Sequence, residues 1–154
     1  MNANQGDLGL ELRAIANRIE RIQNAYLKQR GYGEYSTTQC GIIGYIRNHE
    51  GNVYSRDLEK VLCIRSSSIT GIVERMEKKG MLSRVQVKHD GRMKKLVLVP
   101  GREALFKEAS NAVLDVEADL IKNISSSERT QLFSILTKLK ATIDEMEEAI
   151  SAEL

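Results

Sequence analysis

Hydroxyl and basic side chains are concentrated in one part of this 154-residue chain, between Ser66 and Lys94. Short hydroxyl side chains can approach base edges and phosphates closely, an arginine can donate two hydrogen bonds to one guanine, and other cations can neutralise phosphate. These residue types therefore favour recognition of a polyanion such as duplex DNA. The candidate contact residues are Ser66, Ser67, Ser68, Thr70, Arg75, Lys78, Arg84, Lys88, Asp90, Arg92 and Lys94.

The distribution of charge along the chain supports this interpretation. The formal net charge is only +2. Residues 65–95, however, carry nine basic and three acidic side chains (net +6), whereas residues 103–154 carry five basic and eleven acidic ones (net −6). A positive segment is expected of a surface that faces phosphate. A solvated charged face is the alternative, and it explains the segregation less well.

Helical spacing on both sides of a short turn predicts the elements that hold these residues. Apolar side chains recur at helical intervals over residues 58–62 and again over residues 69–76, with a four-residue turn at 63–66. One of the three consecutive serines is expected to cap the second of these helices, which should stop at Gly80. The pattern indicates a helix-turn-helix whose second helix exposes its hydroxyl side chains and Arg75.

Alternating apolar residues after Gly80, followed by Asp90-Gly91, predict a β-hairpin, or wing. Asp90 and Arg92 are two residues apart and can pair, which would hold the guanidinium in one direction. An arginine at the tip of a wing can enter the minor groove, where negative potential is concentrated. A surface ion pair that contributes little is the alternative. Residues 52–54 can add a short third strand.

Long apolar patterns at both ends of the chain predict helices that face a partner. The first, over residues 8–26, repeats in steps of four and three, as a coiled-coil seam does. Two more follow Pro100 and continue to residue 150. They predict a layer through which two copies pair, and coverage of the chain's own core is the alternative. The predicted fold is mainly α with a small β-hairpin wing, in one domain over residues 1–154, where dimerisation helices at 1–35 and 101–154 flank a winged helix-turn-helix lobe at 36–100.

The cysteines and histidines do not suggest catalysis or metal binding. Cys40 and Cys63 are too few for a disulfide framework, and His49 and His89 come without a nucleophile or metal-ligand spacing. No enzymatic activity, metal or cofactor is therefore expected. A thiol sensor that uses Cys63, near Arg65, or Cys40 stays open as an alternative, because exposed thiolates of low pKa are reactive.

Hydropathy argues against a membrane protein. No apolar run approaches the ~20 residues of a membrane-spanning helix, and the first residues lack the basic-then-apolar order of a signal peptide. We expect a cytoplasmic protein that has no membrane partner.

The sequence resembles the MarR family of winged helix-turn-helix transcription regulators over nearly its whole length. The run from Met76 to Met81 (MEKKGM) matches the family's Leu-Glu-x-x-Gly-Leu at the end of a helix. Asp90-Gly91-Arg92 matches the Asp-x-Arg of the wing, and Thr38-Gln39 matches the start of the second helix. The order and spacing of these points together carry the resemblance.

The resemblance implies a homodimer that reads duplex DNA. The helix from Ser66 to Lys79 would enter the major groove, Arg92 oriented by Asp90 would enter the minor groove, and the terminal helices would pair two copies. Many members of the family release DNA when a small, often aromatic and anionic, effector binds between the dimer layer and the DNA-binding lobe. We therefore expect a ligand-responsive repressor on a pseudo-palindromic operator. A thiol-responsive regulator and a winged-helix protein-interaction module without DNA binding are the alternatives.

Three positions depart from the family's pattern. Gly71 stands where many relatives have a long side chain, so one direct base contact is expected to be missing. Cys63 occupies a turn position that is often glycine. Val99-Pro100-Gly101 replaces the usual Leu-Thr-x-x-Gly, so the fifth helix must be capped in another way.

Overall fold

Six α-helices and one β-hairpin make up the computed structural model, which describes residues 7–50, 52–87 and 90–152 and, of residues 90–92, the backbone alone. This element content confirms the predicted fold class, mainly α with a small hairpin wing. The chain forms two compact units, one ending at Val116 and the other beginning at Glu117. The elements are α1 (Leu8–Gln29), α2 (Thr37–Asn48), α3 (Ser55–Leu62), α4 (Ser66–Lys78), β1 (Leu82–Val87), β2 (Asp90–Leu98), α5 (Glu103–Leu120) and α6 (Ser126–Ala152).

The hydrophobic core lies around the helix-turn-helix in the first unit. Leu58 of α3, Ile69 of α4 and Leu96 of β2 are completely buried, and the isoleucines of α2 belong to the same cluster. Phe106 and two alanines of α5 complete it. This core determines which face of α4 lies inside and which lies outside.

The start of α2 is held by a reciprocal capping box between Ser36 and Gln39. The Ser36 nitrogen donates to Gln39 Oε1 at 3.0 Å, and the Gln39 nitrogen donates to Ser36 Oγ at 3.2 Å. Asn24 of α1 supplies a further acceptor, its Oδ1 lying 2.9 Å from the Thr37 nitrogen. These bonds satisfy amides that a helix start leaves unpaired, and they join α1 to α2.

The turn of the helix-turn-helix is one residue shorter than the sequence indicated. Cys63, Ile64 and Arg65 form it, and Cys63 has φ 50°, a left-handed conformation that favours glycine. The expected serine cap is wrong. Arg65 is the N-cap residue, its side chain makes no capping bond, and Ser66 is already helical. Because the backbone is extended at Arg65 (φ −60°, ψ 146°), the helix begins one residue earlier than a serine cap requires.

The far end of α4 stops where the sequence predicted. Gly80 has φ 64°, and the Met81 nitrogen donates to the Met76 oxygen at 2.9 Å, as in a Schellman motif. The chain then turns directly into β1, which begins at Leu82.

The wing is an antiparallel pair of strands. Leu82 lies opposite Leu98 and Gln86 opposite Lys94, and the register shifts between Gln86 and Val87. Val53 forms one isolated bridge to Leu96, whose nitrogen donates to the Val53 oxygen at 2.8 Å. The predicted third strand is therefore a single residue pair.

The start of α5 replaces the family's usual cap with a carboxylate. The Gly101 nitrogen donates to Glu103 Oε1 at 3.1 Å, and Gly101 has φ 88°. Backbone N–H groups, that of Glu103 itself first and then that of Gly101, hold the pKa of Glu103 below its usual range. The hydrogen bond from Gly101 to Glu103 thus caps α5 where Val99-Pro100-Gly101 replaces the usual sequence.

The first and last helices bury very little, whereas α5, also predicted to face a partner, buries Phe106, Ala109, Ala112 and Val116. α1 buries Gln23 and Leu27 alone, and α6, every residue of which is described, buries none. None of the described helices is both long enough and apolar enough to cross a lipid bilayer. The large exposed apolar side chains are Leu8, Leu10, Leu12, Ile15 and Ile22 on α1, and Leu132, Phe133, Ile135, Ile143, Met146 and Ile150 on α6.

Candidate nucleic-acid interface

The outer face of α4 holds the side chains expected to read bases. Its inner face is fixed, because Ile69, Val73 and Met76 are completely buried. Short hydroxyl side chains on the other face keep the helix backbone close to any surface that it meets. The exposed residues on that face are Ser66, Ser67, Ser68, Thr70, Arg75 and Lys78.

Gly71 leaves room for Arg75 on this face. The atom nearest to the position of a β-carbon on Gly71 is Nη1 of Arg75, at 3.4 Å. The Arg75 side chain therefore lies back along the helix, over the preceding turn. The Arg75 guanidinium thus occupies part of the surface that a long side chain at residue 71 would cover.

Two of the wing cations predicted to contact DNA, Arg84 and Lys94, have different surroundings. Arg84 Nε lies 3.5 Å from Oε2 of Glu77, and the Arg84 backbone nitrogen donates to Oε1 of Glu77 at 3.3 Å. The Nε and Nη2 atoms of Arg84 are buried and lack a well-formed hydrogen bond within the described residues. Lys94 is exposed. Lys94 is therefore the more accessible cation, and Arg84 is the more constrained one.

A cavity of about 290 Å³ lies between these wing residues and the start of α3. Sequence reasoning missed four of its residues, Tyr54, Ser55, Arg56 and Met93. The Arg56 guanidinium lies 5.4 Å from the centre of the Tyr54 ring. The partial positive charge of a helix start adds to the cations here. The signal in the sequence was a Ser-Arg pair just ahead of Asp57, which is easily taken for ordinary helix capping. The cavity is lined by Tyr54, Ser55, Arg56, Arg84, Met93 and Lys94.

The predicted wing-tip contacts lie outside what the structure describes. Lys88 and His89 are not among the described residues, and the side chains of Asp90 and Arg92 are not described either. The Asp90–Arg92 ion pair and the insertion of Arg92 into the minor groove therefore stay predictions.

A second cavity, of about 360 Å³, separates α4 from the loop between α1 and α2. Tyr35 is 4% exposed, its ring packs edge-on against Phe106 with the centroids 6.0 Å apart, and its hydroxyl has no well-formed hydrogen bond to any described residue. Burial, and then the nearby Glu34 carboxylate, raise the pKa of Tyr35 to about 12. Arg75 and Lys79 bring positive charge to the opposite wall. The lining residues are Gly33, Glu34, Tyr35, Ser36, Thr38, Gln39, Ile72, Arg75 and Lys79.

The two cysteines differ in accessibility. Cys40 is buried, and burial raises the pKa of its thiol to about 11. Cys63 is exposed, and its Sγ lies 3.6 Å from the Lys60 oxygen.

Within residues 7–50, 52–87 and 90–152, no three histidine, cysteine or acidic side chains come together in a way that could hold a metal ion.

The helix-turn-helix, the hairpin beside it and their shared cationic surface define the class of a winged helix-turn-helix protein. A family model described as "MarR family" matches residues 35–93. S. aureus MepR in complex with DNA has a similar structure, with a TM-score of 0.81 and 18% identity over 90% of this chain and 99% of that chain. A mutant of MarR from E. coli in complex with operator DNA has a TM-score of 0.74 and 24% identity, over 86% of this chain and 92% of that chain.

MarR from Oenococcus oeni is 28% identical to this chain, with a TM-score of 0.69 over 88% of this chain and 99% of that chain. The resemblance inferred from the sequence is therefore confirmed. Residues 35–93 match the MarR family model, and the fold is similar to those of solved MarR-family regulators.

Proposed function

We propose that the chain is a homodimeric repressor that binds a specific duplex DNA sequence and releases it in response to a small aromatic or anionic effector. The observation that carries the proposal is the outer face of α4. Its exposed hydroxyls and Arg75 stand opposite a completely buried apolar face, so the helix presents one fixed polar surface. The match of residues 35–93 to the MarR family model supports the same function.

The contacts divide into those that specify sequence and those that position the protein. Ser67, Ser68, Thr70 and Arg75 are the proposed base contacts, and Arg92 oriented by Asp90 is the proposed minor-groove contact. Lys94 and Arg56 are proposed to neutralise phosphate beside the cavity at the start of α3. Ser66, Lys78, Arg84 and Lys88 complete the proposed set.

The proposed dimer rests on the uncovered apolar faces of the terminal helices. Exposed apolar patches of this kind mark surfaces that a partner covers. A second copy, paired through residues 1–35 and 101–154, would cover them, and two-fold symmetry would present one α4 to each of two half-sites. Successive major grooves on one side of the duplex then require half-sites about 10 base pairs apart.

The cavity between α4 and the α1–α2 loop is the proposed effector site. Its lining includes Ile72 and Tyr35, the cations of Arg75 and Lys79, and the Glu34 carboxylate. A small aromatic anion could stack against the apolar part of this lining and pair with Arg75 or Lys79. Because Arg75 is also a proposed base contact, occupation of this cavity would compete with DNA binding.

The proposal is tested by selecting duplexes from a random DNA pool with the purified chain. We expect enrichment of one inverted repeat, with affinity that falls steeply as salt increases. The Arg75→Ala variant, carried through the same selection, should lose preference at one base position in each half-site, at a cost of about 1–3 kcal/mol. No enrichment, together with weak binding that salt does not change, would instead favour a protein-interaction module.

Regulation through a thiol is the second candidate, and the exposure of Cys63 at the helix-turn-helix turn favours it over Cys40. Peroxide titration, with thiols counted and DNA affinity measured on the same samples, tests it. Loss of the Cys63 thiol in parallel with loss of DNA binding supports a thiol switch. Oxidation of Cys63 with unchanged affinity excludes it.

A further inference from the structure

The carboxyl end of α4 is held by an arginine that lies outside the proposed DNA contacts. Arg102, just before α5, donates from Nη1 to the carbonyl oxygens of Lys79 and Gly80, at 3.0 and 3.3 Å. Its Nη2 lies 3.3 and 3.4 Å from the carboxylate oxygens of Glu34, in the loop between α1 and α2. One side chain thus joins the end of α4, the α1–α2 loop and the start of α5.

A third residue closes this cluster, which we call the Arg102 clamp and define as Glu34, Lys79 and Arg102. The Lys79 ammonium donates to the Glu34 carbonyl oxygen at 2.6 Å. The Arg102 guanidinium also lies 6.0 Å from the ring centre of buried Phe106, and the Arg102 side chain is 27% exposed. Hydrogen bonds to charged groups are stronger than neutral ones, so the clamp is a specific restraint and not a loose surface pair.

The clamp acts on the part of α4 that most needs a partner. The last carbonyl oxygens of a helix accept no hydrogen bond from within the helix, and they carry partial negative charge. A guanidinium beside them is therefore favourable. The turn at Gly80 fixes the direction in which the chain leaves α4. The clamp fixes where that end lies relative to α5 and the α1–α2 loop. Arg75 precedes this end by one turn and lines a cavity together with Glu34 and Lys79.

We infer that Arg102 is a positioning residue for DNA recognition, which fixes the carboxyl end of α4, and with it Arg75, at the angle that base contact requires. The inference rests on the proposed DNA-binding function. Arg102 itself contacts no DNA in this arrangement. Its loss should therefore reduce the discrimination between DNA sequences, while the number of counterions released on binding stays the same.

The test compares Arg102→Gln and Arg102→Lys with Lys107→Gln, which removes a charge from an exposed position on α5. Each protein is titrated, between about 50 and 200 mM salt, with the duplex selected from the random pool and with a shuffled duplex of the same composition. We expect Arg102→Gln to bind the selected duplex about tenfold more weakly, the effect of one lost base contact. Its affinity for the shuffled duplex and its salt slope should match those of the parent protein.

The two other variants separate geometry from charge. Arg102→Lys should recover only part of the loss, because an ammonium cannot reach two carbonyls and a carboxylate at once. Lys107→Gln should bind both duplexes as the parent protein does. If circular dichroism shows that Arg102→Gln does not fold, Glu34→Gln replaces it. This variant should also lose discrimination between the two duplexes, but its affinity for the selected duplex should fall only about threefold.

Two results would overturn the inference while leaving the proposed function intact. One is a salt slope reduced by about one charge with both duplexes weakened equally, which would make Arg102 a phosphate contact. The other is binding by Arg102→Gln that equals that of the parent protein. A parent protein that does not distinguish the two duplexes would refute the proposed function, and the role of Arg102 with it.

Discussion

The winged helix-turn-helix lobe and the terminal helix α6 use their apolar residues in opposite ways. In the lobe, Ile42, Leu58 and Met76 are completely buried within one chain. In α6, Ile135 and Ile150 keep 62% and 58% of their surface exposed. A core that is closed within one chain supports folding, whereas apolar side chains left in water on a long helix support association. On the proposed dimer, one region supplies stability and the other assembly, and substitutions can address each one alone.

The largest expected effect is on the stability of the lobe. Leu58→Ala should lower the free energy of unfolding by about 2–5 kcal/mol, because it leaves a cavity in a core that is closed on all sides. Urea unfolding measures the change. Leu132→Ala on α6, where the side chain is already 41% exposed, is the matched control. Its smaller effect should vary with protein concentration, because it acts through the proposed dimer. Equal losses at both positions would remove the distinction between the regions.

The second effect concerns assembly. Ile135→Lys should weaken dimerisation at least about tenfold, because it places an unpaired charge in the proposed interface. Sedimentation equilibrium measures the dimer, and circular dichroism reports whether the helices are retained. Lys138→Gln, at an exposed position on the same helix, should leave the dimer unchanged. If Ile135→Lys remains dimeric, the apolar face of α6 is not the interface.

The sequence was most informative where the determinants of structure are local. The stop of α4 at Gly80 needs a left-handed residue, and glycine at that point in a helical pattern identifies it. The burial of Ile69, Val73 and Met76 followed from their spacing alone, and with it the exposure of Arg75.

The features that could not be predicted from the sequence depend on residues far apart in the chain. Arg102 contacts Glu34 and Lys79 through the folding of three segments, and Arg56 and Arg84 line the same cavity beside the wing. No local pattern encodes such pairs. The error at the start of α4 has a different origin. A left-handed Cys63 changes the backbone path by one residue, and composition does not report backbone angles.

The third prediction compares the two wing cations. Lys94→Gln should weaken binding on every duplex and reduce the salt slope by about one charge, because Lys94 is exposed and its charge is available to phosphate. Arg84→Gln should reduce the slope by less, because Glu77 already lies beside its guanidinium. Titrations at several salt concentrations measure both slopes. Equal slopes for the two variants would show that the Glu77 contact does not hold in solution.

The fourth prediction compares the two cysteines. At pH 8, iodoacetamide should modify Cys63 and leave Cys40 intact, because a thiol with a pKa of about 11 is only about one part in a thousand thiolate at that pH. Mass spectrometry of the native protein counts the labels. The Cys63→Ser variant should take up no label unless it is unfolded. Labelling of Cys40 in that folded variant would contradict its burial.

The smallest expected effect is at Tyr35. Because its buried hydroxyl lacks a well-formed hydrogen bond within the described residues, Tyr35→Phe should leave the free energy of unfolding unchanged or raise it by up to about 1 kcal/mol. The raised pKa of Tyr35 favours the protonated phenol in the folded state. Stability is therefore fully present below about pH 10, the ordinary tyrosine pKa, and falls as the pH rises through about 12. The variant should lack this decline, which unfolding curves over that range would measure.

The central claim is that two copies, paired through their terminal helices, present one α4 each to one duplex. Sedimentation of the protein with the selected full-site duplex, and with a duplex that carries one half-site, tests it directly. We predict two chains on the full site, bound in a single step, and much weaker binding to the half-site, with Ile135→Lys losing most of this difference. One chain on the full-site duplex, with equal affinity for both duplexes, would contradict the account.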